Sequence, residues 1–308
     1  MDTIPLLMIG AMYENGGNTV HRLLDGHPNL FVYPFESQLG TRLTADHLTS
    51  VFPAKYRWPV FRLGATNEEN YHAIIDEECR VRVSTPQVSK FRHVRFELSE
   101  RDRYSHFLDI TQGGTQTRPR YVTAFLRATM LAWHDSCQTR EPTALVGYSP
   151  IITVDSLSIL SEMAQAHFIH VVRNPWSAYA DTKHRPAPLP VAHYLHAWAT
   201  VQLAALQVSR IHPDRFHLIR FEDVVADPLA TLGAVCVRLG LPSASSLASP
   251  SWNGSPLSEV YPWGTIRIPT TAQNRATAAE LSREELATVR DYVAPLLQLL
   301  DYDDFLDS

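Results

Sequence analysis

The chain has 308 residues, about 45% of them hydrophobic and 19% charged, and Lys+Arg 27 against Asp+Glu 32 leaves a formal net charge of -5. Such a chain buries a core large enough to need no metal or disulfide staple, and its acidic balance argues against a nucleic-acid-binding protein held by phosphate neutralisation. The three cysteines, Cys79, Cys137 and Cys236, are far apart and form no Cys-x-x-Cys pair, which indicates neither a disulfide framework nor a zinc ribbon and fits a reducing compartment.

Met1-Asp2-Thr3-Ile4-Pro5 has no cationic leader, and the apolar run at 4–9 is far shorter than the ~20 residues that span a bilayer, so a cytoplasmic protein is expected. A buried strand at 5–10 runs into a loop rich in Gly and Asn, then a short helix at 20–24 that stops at Gly26-His27-Pro28. A second strand is expected at 30–33, turned by Pro34-Phe35-Glu36-Ser37. Residues 41–120 read as a less regular excursion with scattered aromatics and a basic run at Lys90, Arg92, His93 and Arg95.

Helical spacing returns at Tyr121, Ala124, Phe125, Ala128, Leu131 and Ala132. Then follow a strand at 144–147, a helix at 154–164, a strand at 167–172, and Arg173-Asn174-Pro175 opening another helix. The apolar stretch 191–208 is interrupted by His193, His196, Thr200 and Gln202, which marks a buried helix and not a membrane span. A strand at 216–221 and helices at 229–239 and 282–300 complete the order, with Asp227-Pro228 as an N-cap and first helical residue. Alternating strands and helices predict an α/β fold with a three-layer doubly wound parallel sheet, as one domain over 1–308. The segment 242–271, rich in Ser, Pro, Gly and Trp, reads as a long ordered loop of the kind that serves a function.

Two places carry chemistry. The loop Gly10-Ala11-Met12-Tyr13-Glu14-Asn15-Gly16-Gly17-Asn18-Thr19 joins a strand to a helix, where backbone amides and the helix dipole favour an anion, although a plain glycine turn has the same sequence. It is not a Walker loop, because no Lys precedes the hydroxyl residue. Arg173 ends an expected central strand, at the sheet edge where ligands of open α/β sheets bind; it suits a phosphate, or a neighbouring acid. Fourteen histidines form no His-x-x-x-His set with an acid, and His193 with His196 lacks a third ligand, so no metal is expected.

In order, the glycine loop, His27-Pro28, Arg173-Asn174-Pro175, Phe221-Glu222-Asp223-Val224, Asp227-Pro228 and Leu239-Gly240-Leu241-Pro242 resemble the sulfotransferase family, in its bacterial and Golgi-like branch that uses 3'-phosphoadenosine-5'-phosphosulfate (PAPS). The resemblance implies a P-loop NTPase-like sulfotransferase fold, with PAPS as co-substrate released as 3',5'-adenosine bisphosphate (PAP). It implies that Asn15, Gly16, Gly17, Asn18 and Thr19 hold the 5'-phosphosulfate and Arg173 the 3'-phosphate. It also implies that Glu36, shortly after the His-Pro, is the general base that takes the proton of an acceptor hydroxyl or amine; the alternative is a structural acid paired with Arg42 or capping a helix. His21 is a weaker base candidate, expected to be solvated on a surface helix. The acceptor is a small molecule, lipid or carbohydrate bound by the excursion. The segments around Trp252 and Tyr261-Pro262-Trp263-Gly264 resemble a closing lid.

Three positions depart from the family pattern: Glu14 stands where the loop has a cation, Tyr148 where a Lys is usual, and Asp181 where a Ser meets the 3'-phosphate. Lys183, His184 and Arg185 could compensate at Asp181, and Lys90, Arg92 and Arg95 could fold over the sulfuryl group. The alternative function is a protein of this fold that no longer uses PAPS, with another anionic donor or a binding role. A homo-oligomer is compatible with the aromatic stretches at 41–120.

Overall fold

Residues Leu6–Ala11 (β1) are buried at every position because they form the middle of a five-stranded sheet. The computed structural model describes residues 4–42, 52–62, 64–185, 187–257 and 270–307. The remaining strands are Leu30–Val32 (β2), Ala144–Pro150 (β3), His167–Val172 (β4) and Phe216–Arg220 (β5), in the order β2-β3-β1-β4-β5. Every neighbouring pair is parallel, and Ile9 lies opposite Tyr148 on one side and Ile169 on the other. This is the expected doubly wound sheet.

Successive residues of β1 feed different cores. Leu6 and Met8 pack on one face with Phe31, Phe125 and Phe168, whereas Leu7 and Ile9 pack on the other with Val20, Leu24 and Leu232. Burial on both faces is what makes these strands read as continuous apolar runs. The helices are α1 Gly17–Leu24, α2 Asn67–Ala73, α3 Glu77–Ser84, α4 Glu100–Thr111, α5 Arg118–Ala132, α6 Ser156–Glu162, α7 Pro175–Thr182, α8 Val191–Ile211, α9 Phe221–Ala226, α10 Pro228–Arg238, α11 Thr271–Ala278 and α12 Arg283–Leu299. Asp227 caps α10 through a hydrogen bond from the Ala230 N–H, as its place before Pro228 predicts. Among the described residues no helix is long and apolar enough to cross a membrane.

The excursion is more regular than its sequence suggests. Its described part contains α2, α3, α4 and the first turn of α5; Thr66 and Glu69 form a capping box on α2, and Ser99 caps α4. Its interior is held by charge as much as by apolar contact. Arg103 is fully enclosed, donates to Asp76 Oδ2 at 2.7 Å and Glu100 Oε2 at 2.6 Å, and lies 4.9 Å from the Phe125 ring. The Tyr33 hydroxyl donates to the other Asp76 oxygen at 2.5 Å, tying the start of α3 to the end of β2.

Within the expected loop 242–271 the described residues contain a short antiparallel hairpin, Ser251–Trp252 (β6) with Ser255–Pro256 (β7). Trp252, expected in a lid, is buried. Its ring stacks 5.7 Å from Phe91 and lies 5.6 Å from Phe35 and 6.4 Å from Trp133, and its indole N–H donates to the Arg95 carbonyl. Tyr261, Pro262, Trp263 and Gly264 lie outside the described residues.

Candidate active site

The chain leaves β1 at Ala11 and enters α1 at Gly17 by way of two left-handed residues, Glu14 with φ 60° and Gly16 with φ 87°. Gly16 admits no side chain, because a Cβ there would stand 2.1 Å from the Phe221 ring; one on Gly17 would stand 2.5 Å from the Tyr148 ring. These contacts press the loop against the carboxyl edge of the sheet. No side chain caps α1, and the described residues give no acceptor to the amides of Gly16, Gly17, Asn18 and Thr19. Unpaired amides at a helix start, with the positive end of its dipole, are available to an anion.

Asn15 shapes this loop from behind. Its Nδ2 donates to the Tyr13 carbonyl at 2.8 Å and the Tyr194 hydroxyl at 3.1 Å, while its Oδ1 accepts from the Arg173 backbone N–H at 3.0 Å and the Trp198 indole at 3.2 Å. The side chain is fully buried and its bonding capacity is used within the protein. Arg173 is likewise enclosed, with 1% exposure. Its guanidinium donates to Asn274 Oδ1 at 2.7 Å, the Glu14 carbonyl at 2.9 Å and Asp181 Oδ2 at 2.5 Å, and it covers Phe221 at 5.1 Å. Burial pushes the Asp181 carboxyl up, and Arg173 opposes that shift. Of the three basic residues after Asp181, Lys183 pairs with Glu285, His184 with Glu280, and Arg185 lies 3.8 Å from Glu14 Oε1 with its guanidinium over Tyr13.

Glu36 lies across from the loop, beyond the end of β2. Its neighbour Ser37 donates its N–H to the Tyr148 carbonyl, and the Tyr148 ring reaches the loop at Gly17. Arg42 is not its partner: Lys90 Nζ lies 4.0 Å from Glu36 Oε1 and is in ion-pair contact with Glu78 Oε1. Glu78 also accepts the Glu36 backbone N–H at 3.2 Å through Oε2. Glu36 Oε2 is buried without a hydrogen-bond partner. Burial and the Glu36 charge push the Glu78 carboxyl up to about 7, against the pull of Lys90. The phenols of Tyr56 and Tyr148 keep their protons for the same reasons, burial first and then the Glu36 charge. Tyr148 also feels Glu14, so loop and acid cluster share one electrostatic environment. A carboxylate oxygen to which nothing donates is open to take a proton.

His21 departs from expectation. It is buried, with Nε2 2.7 Å from the Tyr33 carbonyl and its ring 5.5 Å from Tyr148, and burial with the adjacent Arg22 holds it well below the usual range, so it is neither solvated nor placed as a base. The His-Pro meets the Leu-Gly-Leu-Pro directly, since His27 Nε2 lies 3.0 Å from the Pro242 carbonyl. Arg92 is exposed and Arg95 pairs with Glu97 and Asp135, so of that basic run only Lys90 is at Glu36. His193 and His196 are exposed, and no group of three metal-ligating side chains occurs among the described residues. Glu78 was not foreseen, since nothing in Asp76-Glu77-Glu78-Cys79 distinguishes it from a solvated helix start.

Residues 5–245 match the sequence profile of the Sulfotransferase family. Over 153 residues the chain is 26% identical to the omega-hydroxy-beta-dihydromenaquinone-9 sulfotransferases Stf3 of Mycobacterium bovis and Mycobacterium tuberculosis, covering 45% of this chain and 38% of the relatives. The match thus spans well under half the length of those proteins. Among solved structures, the sulfotransferase domain of the Synechococcus PCC 7002 olefin synthase aligns with 94% of each chain at 16% identity and a TM-score of 0.48. The sulfotransferase STF9 of Mycobacterium avium aligns with 96% of this chain and 76% of its own at 13% identity and a TM-score of 0.47.

Proposed function

The chain belongs to the sulfotransferase family, and from that premise we propose that it moves a sulfuryl group from PAPS to a hydroxyl or amine of a small-molecule, lipid or carbohydrate acceptor. The observation that carries this reading is the set of acceptor-free amides at Gly16, Gly17, Asn18 and Thr19 on the same sheet edge as Glu36. In the proposed reaction the 5'-phosphosulfate lies on those amides, with Asn15 holding the loop in shape. The acceptor oxygen or nitrogen attacks sulfur in line, its proton passes to Glu36, and the bond from sulfur to the bridging oxygen breaks to release PAP. Preorganised amides meet the charge on the sulfuryl oxygens, and the reaction so written draws on no metal. Three free cysteines support placing the protein in the cytoplasm.

Thermal unfolding with PAP, and with ATP as control, tests the reading. A ligand at a hundredfold over its dissociation constant adds about 2.7 kcal/mol, a shift of roughly 5 °C or more for a domain of this size. A shift selective for PAP supports PAPS as donor.

The Arg173–Asp181 pair favours a second reading, a sulfotransferase-fold protein that no longer uses PAPS, because the guanidinium that would meet a 3'-phosphate already has a carboxylate. Absence of any shift at millimolar PAP would favour it.

A further inference from the structure

We propose that Lys90, carried by the excursion and held in place by Glu78, supplies the positive charge at the sulfuryl group that the glycine loop does not carry. The inference rests on the sulfotransferase reading above. The loop brings a carboxylate, Glu14, to the site, and Glu36 brings another. A sulfuryl group in transit bears negative charge on its three outer oxygens and would be repelled by both unless a cation stood among them. The ammonium of Lys90 meets that need: it lies 4.0 Å from Glu36 Oε1, contacts Glu78 Oε1, and is close enough to Glu14 to feel its charge.

Other cations near the site are engaged. Arg173 is enclosed with Asp181, Arg185 pairs with Glu14 and covers Tyr13, Lys55 pairs with Glu77 and covers Tyr56, and Lys183 pairs with Glu285. Lys90 differs in that it stands at Glu36 itself; its side chain is 41% exposed, and an ammonium has three donors, so it can turn one toward an entering anion without leaving Glu78. Glu78 is a positioning residue. Its own N–H donates to Gln38 Oε1 and its carboxylate accepts from the Glu36 N–H, while Asp76, just before it, is locked by Arg103 and Tyr33. The lysine is therefore anchored to the segment that carries the base. As the sulfuryl group moves from the bridging oxygen to the acceptor and the proton passes to Glu36, the carboxylate that had shared Lys90 becomes neutral, which leaves the ammonium to the sulfuryl oxygens.

Calorimetric titration with PAPS and with PAP separates the terms, since only PAPS carries the sulfuryl group. Lys90→Met should weaken PAPS binding at least tenfold and leave PAP within threefold of wild type, and Lys90→Arg should keep most of the PAPS affinity. Glu78→Gln should weaken PAPS binding selectively as well, with little further loss when added to Lys90→Met, because both act through one ammonium. Lys90→Gln serves as a second variant if Lys90→Met fails to fold. PAPS binding by Lys90→Met within threefold of wild type, or equal losses for PAPS and PAP, would overturn the inference. Failure of the wild type to bind either nucleotide has a different signature and removes the sulfotransferase reading itself.

Discussion

Arg173 and Asp181 form an ion pair closed to solvent, with Nη1 2.5 Å from Oδ2 and side chains 1% and 7% exposed. Removing one partner of such a pair strands the other charge, which typically costs about 3–5 kcal/mol. Asp181→Ser is therefore expected to lower the urea midpoint markedly in the absence of ligand while raising PAP affinity tenfold or more, because Arg173 is then open to an anion. Unchanged stability would show that the guanidinium finds other partners, and unchanged PAP affinity would separate Arg173 from the nucleotide.

Gly16→Ala adds a methyl group within 2.1 Å of the Phe221 ring at a backbone φ of 87°. Overpacking and left-handed strain together are expected to cost about 2–4 kcal/mol and to abolish nucleotide-induced stabilisation. Phe221→Leu in the same chain should recover part of the stability by making room. Denaturant titration of the single and double variants measures both effects.

Glu36→Gln removes the proposed base while keeping its shape. Turnover should fall about 10²–10⁴-fold while the PAP-induced rise in melting temperature stays within a degree of wild type. Loss of both together would identify Glu36 as part of the scaffold around Lys90 and Glu78.

Acid should destabilise the fold through His170 and His217. His170 is fully buried between Thr153 Oγ1 and Gln202 Oε1, each 2.8 Å from a ring nitrogen, and burial pushes it down to about 4. His217, stacked parallel to His167 at 5.8 Å, is likewise pushed down to about 4 by burial first and then by His167. In the unfolded chain both titrate near 6.5. Stability is thus complete above that pH and falls as pH drops toward 4, because only the unfolded chain takes up protons; each site contributes roughly 3 kcal/mol to the loss. Denaturant midpoints at pH 7.5 and 4.5 test this, and a flat profile would contradict it. His170→Gln should flatten the slope.

The strands were legible because burial on two faces leaves an unbroken apolar run: the stretch expected at 5–10 forms at Leu6–Ala11, and 167–172 forms as expected. The loop was legible as a junction because its glycines stand between an apolar run and a helix start. The excursion was not, because α3 buries only Cys79 and α4 buries Arg103, Phe107 and Thr111, so no apolar stripe marks either helix. A buried arginine paired with Asp76 looks in sequence like a surface charge. Lys90 and Glu78 escaped notice as a pair with Glu36 because the fold, and no spacing along the chain, brings them together. The helix after β5 was hidden too, since Phe221 reads as the last residue of a strand while it packs under Gly16 as the first of α9.

Trp252 sets a limit on how this chain can be recombined with a relative. Its ring is wedged among Phe35 beside the proposed base, Phe91 in the excursion and Trp133 at the end of α5, although it belongs to a hairpin far along the chain. A chimaera that imported only residues 41–120 from a relative would receive half of an aromatic socket and keep the wrong plug. A swap of the excursion keeps this packing only if the hairpin at 251–256 moves with it.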